Sequence, residues 1–363
     1  MIIQQAYLAV SDTFYKLYPK LVEKGYHPKQ WREAIGVILK KPDRPSHIPK
    51  AYRVISLLNC LGKVAEKIVA TRLSYLAETT NLLYPEQIGG RSRKSAIDAA
   101  LVLTHDIQLA KTKGLESSCL FMDIKGAFDH VSKNQLLTFC QKLGLPISLY
   151  RWILSFMTDR NIQLVFDGEK DTKKEIETGI PQGSPVSPLL FLIYIRFLFE
   201  EIDAEEDKEG INIEISKPSY LDDISIRISS KSLEKNCEVL QKIAKRLIEW
   251  GNKNGIEFDQ GKTELIHFYK GKYTIEENKF AIQLSDTTIK PKEVVKWLGI
   301  WFDRKLSFST HIDKVLAKAS RVFYRISRLA DCGKGLSFQA MRQLYLACIT
   351  SIADYGVPIW WKG

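Results

Sequence analysis

Two aspartates stand side by side in Ser219-Tyr220-Leu221-Asp222-Asp223-Ile224-Ser225, with the β-prone run "INIEI" shortly before and "ISIRI" directly after. Adjacent like charges repel, and the end of a half-buried strand is a costly place for them. The two runs predict a hairpin with the acidic pair at its turn. A third carboxylate, Asp123, ends the apolar run "SSCLFMDI", 99 residues before Asp222. Laid side by side in one antiparallel sheet, the two strands bring Asp123 and Asp222 together. Three carboxylates in one small region are unfavourable alone and become favourable around divalent cations. Magnesium suits such a set, because it prefers carboxylate oxygens, keeps its waters and is completed by substrate phosphates. Read alone, an Asp-Asp pair is most often a surface turn, so the rest of the chain decides.

Charge narrows the partner. The 363 residues carry a formal net charge of +11, which points to a polyanion, either nucleic acid or an acidic membrane surface. The longest uncharged run, Thr178 to Ile195, contains Pro181, Pro185 and Pro188 and makes a poor membrane span. The N-terminal "MIIQQAYLAVSD" lacks the basic start of a signal peptide. Membrane binding is therefore disfavoured and nucleic acid favoured. The six cysteines are scattered, with no Cys-x-x-Cys and no Cys/His cluster, so neither zinc nor a disulfide framework is expected, and a reducing compartment fits. Residues 311–363 hold 8 Lys/Arg against 3 Asp/Glu, a balance of +5 that suits a grip on a nucleic-acid backbone.

Periodicity predicts helices over 5–25, 55–78, 94–114, 136–144, 187–202, 231–255 and from 309 onward. Strands are predicted over 34–42, 117–124, 262–268 and 294–302, and "IQLVFDGEKDTKKEIETG" (162–179) reads as a hairpin with a charged tip. With hydrophobic content of 45%, the chain can bury a core and build two or three subdomains. The fold class is α+β, with helical material before and after a mixed centre.

"FMDIKGAFDHV", "GIPQGSPVSPLLF" and "YLDD", in this order, resemble a reverse transcriptase. "WREAIGVILKKP", "YRVISLLNCLGKVAEKIVATRL", "GGRSRKSAIDA", "IEFDQGKTELIHF", "KWLGIWFDRKLSFSTHI" and "YGVPIW" are similar to the non-long-terminal-repeat (LINE-type) retrotransposon enzymes. The match runs from about residue 30 to the end. It implies a right-hand polymerase architecture, with an antiparallel palm sheet and helical fingers and thumb. Residues 1–115, with part of 131–175, would form the fingers. Residues 116–303 would form the palm, and 304–363 a partial thumb.

The resemblance also implies roles. Asp123, Asp222 and Asp223, with the Ile124 carbonyl, would hold two Mg²⁺ ions, for which Mn²⁺ can substitute; Asp222 is the stronger candidate of the pair. Phe128, with Ala127 beside it, would exclude a ribose 2′-hydroxyl, since a rigid ring under C2′ leaves no room for an oxygen. Gln182 and Gly183 would lie against the incoming nucleotide. Arg53 would fork onto the triphosphate, helped by Lys41 or Lys40. The family pattern usually has proline where Val54 stands. Arg91 would touch the template backbone. Lys262 would protonate departing pyrophosphate. Trp297, Leu298 and Gly299 would hold the primer end. The expected partners are an RNA template, a DNA primer and dNTPs, and the expected compartment is the nucleus. The stretch is expected to be a polymerase-core fragment without endonuclease or RNase H parts. The alternatives are an inactive relic that only binds nucleic acid, and a maturase- or telomerase-like enzyme.

Overall fold

The computed structural model describes residues 2–42, 45–48, 51–209, 213–269, 280–284, 287–330 and 335–361. Helix α1 (Ile2–Lys24) is broken in its regular geometry at Val10 (φ −133°). Strands β1 (Glu33–Lys40) and β2 (Tyr52–Leu58) follow, then α2 (Cys60–Thr79). The single helix expected over 55–78 is thus strand up to Leu58. The Asn59 side chain accepts from the Leu61 and Gly62 N–H groups and starts the helix there. Helix α3 (Ala96–Thr112) begins with a reciprocal Ser95–Asp98 cap, and Gly114 (φ +73°) lies just past its end. Next come β3 (Glu116–Asp123), α4 (Lys133–Lys142) and α5 (Ile147–Met157). Helix α5 was not expected, because its apolar positions suit a strand as readily as a helix. The predicted charged hairpin is β4 (Asn161–Phe166) and β5 (Glu169–Glu175).

Helix α6 (Ser187–Glu209) leads to β6 (Glu214–Ser216) and β7 (Asp223–Ser230); residues 211 and 212 of the "INIEI" run lie outside the described residues. Helix α7 (Leu233–Asn254) and β8 (Glu264–Phe268) follow as expected. Two short pairs are β9 (Ile282–Leu284) with β10 (Thr287–Ile289), and β11 (Val294–Trp297) with β12 (Ile300–Asp303). The latter pair replaces the one strand expected over 294–302. Leu298 (φ +47°) and Gly299 (φ +84°) both take positive φ, as a two-residue hairpin turn demands. Helix α8 (Ser309–Ser327) and α9 (Phe338–Leu344) follow, with α9 running into a π-helical turn over Tyr345–Thr350 and short helical turns at Ser351–Ala353 and Val357–Trp360 after it.

The chain forms two compact units. The first comprises Met1–Arg93, Ile124–Ala204 and Arg246–Phe258. Its sheet has the order β2-β1-β4-β5, with β1 and β4 parallel and the other pairs antiparallel. The region expected as helical fingers therefore also carries a sheet. Trp152, Phe156, Phe191, Tyr194 and Phe199 are fully buried in this unit. The second unit comprises Lys94–Asp123, Glu205–Lys245 and Asp259–Gly363. Its sheet has the order β6-β7-β3-β8, antiparallel throughout. Residues 117–122 of β3 and 224–230 of β7 are buried on both faces, so these central strands are rigid. Among the described residues no helix is long and apolar enough to cross a membrane. Cys119, Cys140 and Cys237 are buried free thiols, each pushed up to about 12 by burial; Cys332 lies outside the described residues.

Candidate active site

In the second unit β3 and β7 run antiparallel, with Met122 opposite Ile224 and Asp123 opposite Asp223. Directly opposed residues share a face of the sheet, so the carboxylates of Asp123 and Asp223 are neighbours. In the register Asp223 stands opposite Asp123, and Asp222 lies one residue away in the adjoining turn. A tight turn explains it: the Tyr220 N–H donates to the Asp223 carbonyl at 2.9 Å, and the Asp223 N–H returns to Tyr220 at 3.1 Å. Leu221 sits in the turn at φ +55°, a strained value for a leucine, with Asp222 next to it. Burial pushes the Asp223 carboxyl up to about 6, helped by Asp222 and Asp123 and opposed by Lys262. That coupling puts all three acids in one electrostatic cluster.

Lys262 belongs to the same cluster. Its Nζ lies 2.6 Å from Asp123 Oδ2 and 3.8 Å from Asp259 Oδ2. Asp259 was not singled out in the sequence, where it is one acid among many. It is placed by the backbone: its N–H donates to the Asp123 carbonyl at 2.8 Å, and its own carbonyl accepts from the Lys262 N–H at 3.0 Å. The donor types suit a hard divalent cation. Among the described residues no group of three Asp, Glu, His or Cys side chains is drawn together as a ready-made cage. An ammonium sits on Asp123 instead.

Also in this unit, Trp297 is buried with its ring 5.4 Å from that of Phe121. The Leu298 carbonyl accepts from the Tyr355 hydroxyl at 2.8 Å, and a Cβ on Gly299 would lie 3.0 Å from the Tyr355 ring. Tyr355, from the "YGVPIW" stretch, thus seats the β11–β12 turn. No pattern in the sequence marks that long-range contact.

The first unit carries the other named side chains. Ile124 is buried and bridges Phe258; Ala127 is buried. Phe128 is half-buried, its ring 5.4 Å from Phe191, and its carbonyl accepts from the Ile180 N–H at 2.7 Å. The Ser56 N–H donates to the Gln182 carbonyl at 3.1 Å, and a Cβ on Gly183 (φ +124°) would lie 2.8 Å from the Ser56 carbonyl oxygen. The loop therefore needs glycine to lie on β2. Arg53 is exposed on β2 opposite Leu39. Alternation puts Lys41 on the face of Arg53 and Lys40 on the other, where its Nζ binds Ser46 Oγ at 2.7 Å. Lys41 is thereby the better companion. Arg91 is half-buried and bonded within its own unit: Nε donates to Glu78 at 2.9 Å, and Nη1 to the carbonyls of Pro85 and Gln87 at 3.1 and 3.2 Å. These bonds clamp the loop.

The family model described as "Reverse transcriptase (RNA-dependent DNA polymerase)" matches residues 38–302. The chain belongs to the reverse transcriptase family. Among curated proteins, this reverse transcriptase chain is 25% identical to "Probable RNA-directed DNA polymerase from transposon BS" of Drosophila melanogaster, over 95% of this chain and 37% of that protein. It is 26% identical to "RNA-directed DNA polymerase from mobile element jockey" of the same organism, over 95% and 37%. The chain thus spans 37% of the length of these relatives, and the expected kinship with non-long-terminal-repeat retrotransposon enzymes stands. Among solved structures, apo telomerase from Candida tropicalis is similar at 13% identity and a TM-score of 0.49, over 76% of this chain and 54% of that one. Enzymes of the family use divalent metal ions.

Proposed function

We propose that the chain is the RNA-directed DNA polymerase core of a retrotransposon protein and adds dNTPs to a primer 3′-hydroxyl on an RNA template. The observation that carries this reading is the register pair Asp123–Asp223, with Asp222 at the adjoining turn and Lys262 bonded to Asp123. On this reading the three aspartates and the Ile124 carbonyl hold two Mg²⁺ ions, with Mn²⁺ as a substitute. Bound there, such ions lower the pKa of the primer hydroxyl and hold the triphosphate. Arg53 and Lys41 bind the phosphates, Phe128 shuts out a 2′-hydroxyl, and Gln182 and Gly183 lie along the nucleotide. Trp297, Leu298 and Gly299 support the primer end, and Lys262 gives its Nζ proton to the leaving pyrophosphate. Arg91, which also clamps its loop through Glu78, touches the template backbone on this reading.

The division into fingers (1–115, with part of 131–175), palm (116–303) and partial thumb (304–363) belongs to the same proposal, as does a nuclear site of action. The test is extension of a DNA primer on an RNA template with Mg²⁺ and dNTPs. Asp222→Asn abolishes extension if the reading holds, and equal rates for the variant and the parent chain sink it. Salt-sensitive binding of the template–primer without extension would instead identify a relic that only binds nucleic acid.

A further inference from the structure

Lys262 places a positive charge where this cluster calls for a cation. Its Nζ contacts Asp123 at 2.6 Å and has Asp259 within 3.8 Å. The two acids are fixed relative to each other by the Asp259 N–H to Asp123 carbonyl bond. The lysine itself sits on a 3-10 turn over Gln260–Lys262, and its side chain is half-exposed. A four-carbon stem on a fixed turn lets the ammonium move from one carboxylate to the other without backbone change.

Metal binding conflicts with the first of these positions. A magnesium ion sits about 2.0–2.1 Å from its ligand oxygen. An ammonium held on the same carboxylate leaves two cations within a few ångströms, and they repel. We propose that Lys262 is a tethered counterion of the metal-free carboxylate cluster, displaced from Asp123 when a divalent ion binds and received by Asp259. The inference rests on reading Asp123, Asp222 and Asp223 as divalent-ion ligands. Lys262 thereby lowers the apparent metal affinity by competing for Asp123, and Asp259 limits that loss. Asp259 is a positioning residue, acting on the metal only through the lysine.

The test needs neither nucleic acid nor nucleotide. Mn²⁺ is titrated into the purified chain, and the free aqua ion is followed by electron paramagnetic resonance. Lys262→Met is expected to tighten the apparent Kd about tenfold, whereas Lys262→Arg, which keeps the charge, gives no gain. Asp259→Asn is expected to weaken binding severalfold when Lys262 is present and to have no effect beside Lys262→Met. That non-additivity separates a relay through the lysine from the simple loss of a nearby negative charge, which would weaken binding equally in both backgrounds. Equal Kd values for the parent chain and Lys262→Met overturn the counterion role and leave the polymerase reading standing. Failure of every form to bind Mn²⁺ overturns the divalent-ion reading as well.

Discussion

At Phe128 and Gly183 one atom more or less changes what the chain can do. Phe128 is only half-buried, although its ring packs against Phe191, so part of it is free to meet a ligand. Phe128→Ala is expected to raise ribonucleotide incorporation at least tenfold relative to dNTPs, measured by competing the two in primer extension; unchanged selectivity would make the ring a core residue only. Gly183→Ala adds a Cβ at 2.8 Å from the Ser56 oxygen, at a φ of +124° that L-residues avoid. The loop must then lift from β2, and a tenfold or greater rise in the KM for dNTPs is expected, with stability lowered by about 1–3 kcal/mol. Both positions were marked in the sequence by their motifs. Asp259 and Tyr355 lie inside the quoted stretches "IEFDQGKTELIHF" and "YGVPIW" but took no role there, because their importance lies in contacts with Asp123 and Leu298 that no local pattern encodes.

Along a whole helix, spacing carries the meaning. On α8, Lys314, Lys318, Arg321 and Arg325 recur at helical intervals, with Arg328 just past its end, and all five are exposed. Such a stripe tracks a phosphate backbone. Replacing Lys318, Arg321 and Arg325 together by glutamine should weaken template–primer binding at every sequence tested. It should also flatten the slope of log K against log salt by about 2–3, given roughly 0.7–0.9 per lost contact. An unchanged slope, measured by fluorescence anisotropy, would mean the stripe faces only water. Element type was legible wherever the period was long, as in α1, α3, α7 and α8. It failed over 55–58 and at Leu298, where short apolar runs fit helix and strand alike. There a cap at Asn59 and a pair of positive φ values decided the outcome.

For the molecule as a whole, two buried histidines weaken the fold in acid, while the raised carboxyls of Asp223 and of Glu66, beside His27, act in the opposite direction. Burial pulls His27 down to about 3 and His267 down to about 4, with Arg160 and Arg32 adding to the effect at His27. Both are neutral when folded and take a proton near pH 6.5 when unfolded, so the unfolded chain binds more protons below that pH. The histidines' contribution to stability is therefore full above pH 6.5 and is lost as the pH falls towards 4, at about 1.4 kcal/mol per pH unit for each, and Asp223, protonated first in the folded chain, offsets part of that loss below about pH 6. Melting temperatures measured at pH 7, 6 and 5 for the parent chain and for His267→Gln should diverge, because the variant lacks one histidine's share of the acid loss. What the sequence determined by itself was the chemistry: the acidic set, its collinear motifs, the basic charge and the alternation of helix and strand, all carried by residue type and order. What only the tertiary structure decided was partnership. Asp223 stands opposite Asp123 in the register, Lys262 bonds Asp123, Arg91 bonds Glu78 and two loop carbonyls, and Lys41 shares a face with Arg53. Strand register and long-range backbone bonds settle these pairings, and both arise from packing across dozens of residues that local order does not specify.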